Sequence, residues 1–170
     1  MGILIDKTAD CPYVNFSENG QLEIEGRSIT EDVFSFWQPL IDWIAVYIKT
    51  PAEKTVLNVY LEYSNSSTNK YLNEILKHVE SLKKKGKEVQ IIWRYEEDDE
   101  SILMLGQDLQ ALTTISMEFV EVEVEKNKTR KIKIKSKKSG NEATITYKYW
   151  EAIVRNGHGE EYVVLEENLG

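Results

Sequence analysis

The chain has 170 residues, 41% hydrophobic and 29% charged, with four Trp and nine Tyr, enough bulky material for one globular domain or a domain with an appended subdomain. One cysteine, Cys11, excludes an intrachain disulfide, and no signal peptide or long apolar stretch opens the chain, so a bacterial-type cytoplasmic protein is expected. The net charge of −8 is uneven: residues 1–125 carry 11 basic and 23 acidic side chains, a balance of −12, while 126–170 carry 10 and 6, a balance of +4.

Tyr13–Phe16 and Leu22–Glu25 alternate apolar and polar residues around Ser17-Glu18-Asn19-Gly20, an Asn-Gly hairpin signal. Thr30-Glu31-Asp32 then starts a helical stretch with Val33, Trp37, Leu40, Ile41, Ile44, Tyr47 and Ile48 on one face. Pro39 would clash with the Ser35 carbonyl in a straight helix, so a kink or break is expected there. Phe36, Trp43 and Val46 lie off the stripe and read as buried rather than as an outer patch. Val33–Ile48 is also the longest candidate for a membrane span. Gln38, Pro39 and Asp42 interrupt it, and it is too short and polar to insert in a bilayer.

Val56–Tyr63 is apolar on both faces, as in a central strand. Leu72, Ile75, Leu76, Val79 and Leu82 repeat at helical spacing over Tyr71–Leu82, closed by Lys83-Lys84-Lys85-Gly86 with cations at the negative dipole end and glycine as cap. Val89–Tyr95 is the next strand. Glu96–Glu100 opens a helix whose inner face carries Ile102, Leu105, Leu109 and Leu112, and Ile115–Glu125 follows as a strand. The order from Tyr13 is β-β-α-β-α-β-α-β. Parallel strands with right-handed crossovers and an initial antiparallel hairpin give an α/β (α+β) mixed sheet, with helices mainly on one face. That is the arrangement of small STAS-type domains.

The charge reversal near Glu125 divides the chain into an acidic domain, 1–125, and a basic β-rich extension, 126–170. In the extension Ile132 and Ile134 alternate with lysines, Ser136–Asn141 reads as a turn, and Ala143–Ile153 and Tyr162–Leu165 read as strands around Asn156-Gly157-His158-Gly159. A β-meander of three or four strands is expected, held by Ile132, Ile134, Ile145, Tyr147 and Trp150.

The functional signal lies in Tyr63–Lys70, where Ser66, Ser67 and Thr68 stand between a strand end and a helix start. Helix N-termini offer unpaired N–H groups and the positive dipole end, a favourable place for a phosphate. The plainer reading is that one hydroxyl is an N-cap, worth ~1 kcal/mol.

Other constellations are weak. Glu96–Glu100 lacks the spaced ligands of a calcium loop, and its acids suit a helix start, so no metal or cofactor is expected. It reads instead as a partner-facing edge. His78 and His158 belong to no catalytic motif, which argues against an enzyme. The eight basic residues of Lys126–Lys138 alternate with Ile and lack aromatics, so they read as a solvated strand face protecting a sheet edge, not as a nucleic-acid site.

Several segments together resemble the SiaC family of bacterial biofilm-regulating phosphoproteins. They are Gly26-Arg27-Ser28, Phe34-x-Phe36-Trp37-x-Pro39, Asp42-Trp43 with Tyr47, Leu61-x-Tyr63-x-Asn65-Ser66-Ser67, and Trp93-x-Tyr95 with Asp98-Asp99, spread over roughly residues 10–120. The resemblance implies a non-enzymatic, STAS-like partner-switching protein in signal transduction. A cognate Ser/Thr kinase would phosphorylate it, a PP2C-type phosphatase would reverse this, and the unmodified form would bind an effector such as a diguanylate cyclase. The family acceptor directly follows the Asn, which here implies Ser66, with Ser67 and Thr68 as alternatives. Asn65, Asn69, Glu97, Asp98 and Asp99 are the expected partner-binding residues. The rival reading is a constitutive adaptor whose hydroxyls serve only as caps.

Overall fold

Alternating residues from the N-terminus onward build a six-stranded sheet ordered β1-β2-β3-β4-β5-β6: Ile3–Ile5, Tyr13–Phe16, Gln21–Ser28, Lys54–Ser64, Glu88–Glu96 and Met117–Val122. The computed structural model describes residues 2–97, 99–122 and 131–167, with backbone alone at 147, 148, 151, 152 and 167. β1–β3 pair antiparallel and β3–β6 parallel. Helices Val33–Tyr47 (α1), Ser66–Lys84 (α2) and Glu100–Ala111 (α3) join the parallel strands in turn. The order read from Tyr13 holds. β1 is an addition, because three residues are too few to declare a period.

Each parallel strand lies beside the next, so right-handed crossovers bring all three helices to one face. The core forms there, with Phe16, Ile24, Leu57, Leu61, Ile91 and Trp93 packed against the inner stripes of the helices. The opposite strand residues, among them Glu23, Glu25, Asn58 and Tyr60, are polar and half-buried. Tyr60 donates to Glu96 at 3.1 Å. Burial first, then that bond and the neighbouring carboxylates, push its hydroxyl up to about 12.

Two details depart from the expected pattern. α1 runs without a break through Pro39. Pro39 and Ser35 both lie on the exposed side, where water can satisfy the Ser35 carbonyl that loses its helix bond, while Trp37, Leu40, Ile41 and Ile44 hold the other side in the core. Leu112 is not on the inner face of α3. It is the C-cap and is 62% exposed, because the apolar stripe runs off the helix after Leu109. Of the off-stripe residues of α1, Phe36 and Trp43 pack against the core, with Trp43 stacked on Tyr47 at 5.1 Å, whereas Val46 is exposed.

The chain divides into two compact units, Met1–Val122 and Glu123–Gly170. The second contains a three-stranded antiparallel sheet, β8-β7-β9, from Lys131–Ser136 (β7), Glu142–Thr146 (β8) and Tyr162–Glu167 (β9). It is not a meander, because Tyr147–Arg155 forms a helix (α4) between β8 and β9. Strand alternation ends at Thr146, whose hydroxyl accepts from the Tyr149 N–H at 3.3 Å. Asn156-Gly157 ends this helix instead of turning a hairpin. Gly157 has φ +82°, with Gly157 N–H to Val154 O and His158 N–H to Ile153 O. Ile132 and Ile134 are buried, and Trp150 meets Tyr162 edge-on at 6.5 Å, while the side chain of Tyr147 lies outside the described residues. β7 is the central strand, so its lysines do not guard an edge. Lys133 pairs with Glu142 of β8 at 2.9 Å, and Glu166 of β9 stands opposite it.

Gly106 brings α3 close to the sheet. A Cβ there would lie 2.5 Å from Nε1 of Trp93, whose indole donates to the Ile102 carbonyl at 3.0 Å. Helix propensity alone would make Gly106→Ala stabilising by about 1 kcal/mol. The close approach reverses the sign: urea denaturation should show a loss of ~1–3 kcal/mol from overpacking. A stabilised variant would contradict the packing described.

Candidate functional site

β4 ends at Ser64, and Asn65 turns the chain into α2 with an extended backbone. The Asn65 side chain accepts from the Thr68 N–H at 2.8 Å. The cap is therefore the asparagine and not one of the three hydroxyls, which corrects the plainer reading of this segment. The Asn65 N–H donates to the Ser28 carbonyl at 3.2 Å, tying the α2 start to the end of β3. A bulge at Gly26/Arg27 sets this register, so that Ser28 lies opposite Ser64.

The three hydroxyls have separate fates. Thr68 is fully buried, with its Oγ1 2.7 Å from the equally buried Ser28 Oγ, which also accepts from Trp37 Nε1 at 3.3 Å. Ser66 and Ser67 are exposed. At about 100° per residue, Ser66 shares a flank of α2 with Asn69 and Asn73, and Ser67 shares the other with Tyr71. Tyr71 stacks on Trp37 of α1 at 6.3 Å, so the Ser67 flank faces α1 and the Ser66 flank faces α3. Lys70, four residues beyond Ser66, places a cation one turn away.

Beside the Ser66 flank is a hollow of about 300 Å³ lined by Ser64, Asn69, Asp99, Ser101 and Leu105, among others. Ser64 Oγ donates to Asn69 Oδ1 at 2.7 Å, and Asp99 caps α3 by accepting from the Ile102 N–H at 3.0 Å. Asn69 and Asp99 thus line one hollow at the carboxyl end of β4. The rest of the acidic run is divided: Glu96 is engaged by Tyr60, Glu97 is exposed, and Asp98 lies outside the described residues. A larger hollow of about 710 Å³, lined by Ile3, Pro39, Trp43 and Val46 among others, flanks α1 and shares no lining residue with this one.

Among the described residues, no three His, Cys, Asp or Glu side chains gather as a metal would require. No described helix is long and apolar enough to cross a membrane. His158 Nδ1 lies 2.7 Å from Glu161, and His78 is half-buried on α2. Sequence reasoning placed Trp37 on the inner stripe of its helix, but missed the burial of Ser28 and the hydrogen bond that joins the two. A lone serine before a loop carries no signal that it will pair with a threonine 40 residues on.

A mixed sheet with three helices on one face, and two exposed serines at a strand-to-helix junction, defines a small α/β domain. The chain belongs to the SiaC family of regulatory phosphoproteins, whose model matches residues 5–122. An uncharacterized protein of Pseudomonas aeruginosa is 25% identical over 91 residues, covering 54% of this chain and 72% of that protein. The crystal structure of apo-SiaC from P. aeruginosa superposes with a TM-score of 0.63 at 22% identity, covering 70% of this chain and 98% of SiaC. The structure of the diguanylate cyclase SiaD in complex with its activator SiaC from the same species gives 0.66 at 21% identity, covering 71% and 99%. These likenesses show the same fold.

The cap is open to a direct test. Asn65→Ala should cost about 1 kcal/mol in urea denaturation, and Asn65→Asp, which keeps an acceptor oxygen, should cost far less. Equal losses would mean that the Asn65 amide works through some contact other than the cap.

Proposed function

We propose that this protein is a non-enzymatic signalling switch, phosphorylated on Ser66 by a cognate Ser/Thr kinase and restored by a PP2C-type phosphatase. The observation that carries the proposal is the separation of the three hydroxyls. Thr68 is committed to the core and Asn65 does the capping, which leaves Ser66 and Ser67 exposed without a structural task. Ser66 directly follows the capping asparagine and shares its helix flank with Asn69. A phosphate there meets first-turn N–H groups and the positive end of α2. The capping role that an adaptor reading assigns to the hydroxyls belongs to Asn65, which favours the switch.

The unmodified form is proposed to bind an effector, with a diguanylate cyclase the leading class because SiaC of P. aeruginosa activates SiaD. Asn65, Asn69, Glu97, Asp98 and Asp99 are the proposed partner-facing residues. A phosphoserine adds about −1.5 to −2 charges beside carboxylates already on that rim, and a tightly docked partner would have to desolvate them. That is a physical route from modification to release. Partner switching in biofilm regulation inside the cytoplasm is the setting this reading implies.

Mass spectrometry after incubation with the cognate kinase should place the phosphate on Ser66, and Ser66→Ala should abolish it. Phosphate confined to Ser67 or Thr68 would overturn the assignment.

We also propose that 1–125 is the switch domain and 126–170 an accessory extension that bears on partner choice. Truncation after Glu125 should leave phosphorylation intact and lower stability in part. If the shortened chain is no longer a kinase substrate, the extension belongs to the switch itself.

A further inference from the structure

The Ser64–Asp99 hollow does not end at the rim. A second hollow of about 300 Å³ continues from it between α2 and α3, and the two share Asn69 and Leu105. The second is lined further by Asn73, Asp108, Leu109 and Leu112. Together they form a groove that follows α3 from Asp99 to Leu112, about 20 Å at the rise of a helix. Its apolar side is led by Leu105, half-buried, and Leu112, 62% exposed. Its charges are one-sided. Glu62, Asp99 and Asp108 line it against a single cation, Lys70.

We propose that the α2–α3 groove is the docking site for a basic amphipathic helix of a partner protein. A helix of about 12 residues matches the length. Its leucine-like anchors at i, i+4 and i+7 would cover Leu105 and Leu112, and flanking arginines would meet Asp99 and Asp108. The choice of occupant follows from charge complementarity: Lys7 already pairs with Glu62 and Asp99 accepts from the Ile102 N–H, yet an acidic helix would still face three carboxylates, and an uncharged one would leave Asp108 unanswered. Ser66 stands on the same flank of α2 as Asn69 and Asn73, so a partner seated in the groove lies beside the proposed acceptor. This deepens the switch reading and rests on it for the partner's role, but the groove can be tested without any phosphorylation.

The probe is a 14-residue synthetic helix with leucines on one face and arginines beside them, titrated into the isotopically labelled full chain. Its control carries glutamate in place of arginine. Amide shifts should cluster at Asn69, Asn73, Leu105, Asp108 and Leu112 with the arginine peptide and be absent with the glutamate one. Leu112→Ser and Asp108→Lys change exposed side chains and should leave the melting temperature unchanged. Each should weaken binding, the leucine change by about tenfold through lost apolar burial. No binding, shifts centred elsewhere, equal binding of the acidic peptide, or variants that bind as the natural chain does would each overturn the proposal. The switch reading is judged separately, by where the phosphate lands.

Discussion

The molecule turns on one junction, where the asparagine at the end of β4 caps α2 and the next buried hydroxyl locks onto the end of β3. Thr68 and Ser28 have no exposure to water, so the hydrogen bond between them must form inside the core, and Trp37 closes the set. Breaking it would leave a buried polar group unsatisfied, at a cost of ~1–3 kcal/mol. The lock fixes the rotation of α2 about its own axis. Once Thr68 points inward, helical geometry turns Ser66 out to solvent on the side of Asn73 and sets Ser67 on the flank toward α1. A second bond, from Asn65 N–H to the Ser28 carbonyl, joins the same end of β3 to the start of α2.

Much of this fold was legible in the sequence because its signals are periodic. The strands at Val56–Tyr63 and Val89–Tyr95, the stripe of α2 and the Asn-Gly hairpin all rest on spacing that hydrophobic burial enforces. Where the reading failed, local pattern and tertiary context disagreed. Residues 147–155 carry β-favouring Tyr, Trp, Ile and Val, yet Trp150, Ile153 and Val154 also fit a helical stripe, and Asn156-Gly157 serves a helix end as well as a hairpin. Pro39 signalled a break that burial of the opposite face of α1 prevents. Gly106 carried no signal at all, since the need for its missing Cβ arises only where Trp93 meets α3.

The candidate site was legible to a lesser degree. The octet Tyr63–Lys70 does span the end of β4 and the start of α2, and Asn69 and Asp99 line one hollow. The division of labour among three adjacent hydroxyls could not be read from their order. Which one turns inward depends on the register of β3 against β4, set by a bulge that leaves no local mark. Charge patterning told in the same partial way: the acidic run at Glu96–Glu100 looked like one edge, whereas Glu96 serves the sheet face and Asp99 the helix cap.

The central claim is that α2 is locked in a rotation that hides Thr68 and presents Ser66. Residue-resolved amide hydrogen exchange on the unmodified protein tests it most directly. The account predicts strong protection at Thr68 and Asn69, whose N–H groups bond to Asn65, and fast exchange at Ser66 and Ser67, whose first-turn amides have no acceptor within the helix. Ser28→Ala should lower the protection at Thr68 more than at Val79, in the middle of α2. A Thr68 amide that exchanges as fast as Ser67 in the unaltered chain would contradict the lock, and with it the physical reason for choosing Ser66.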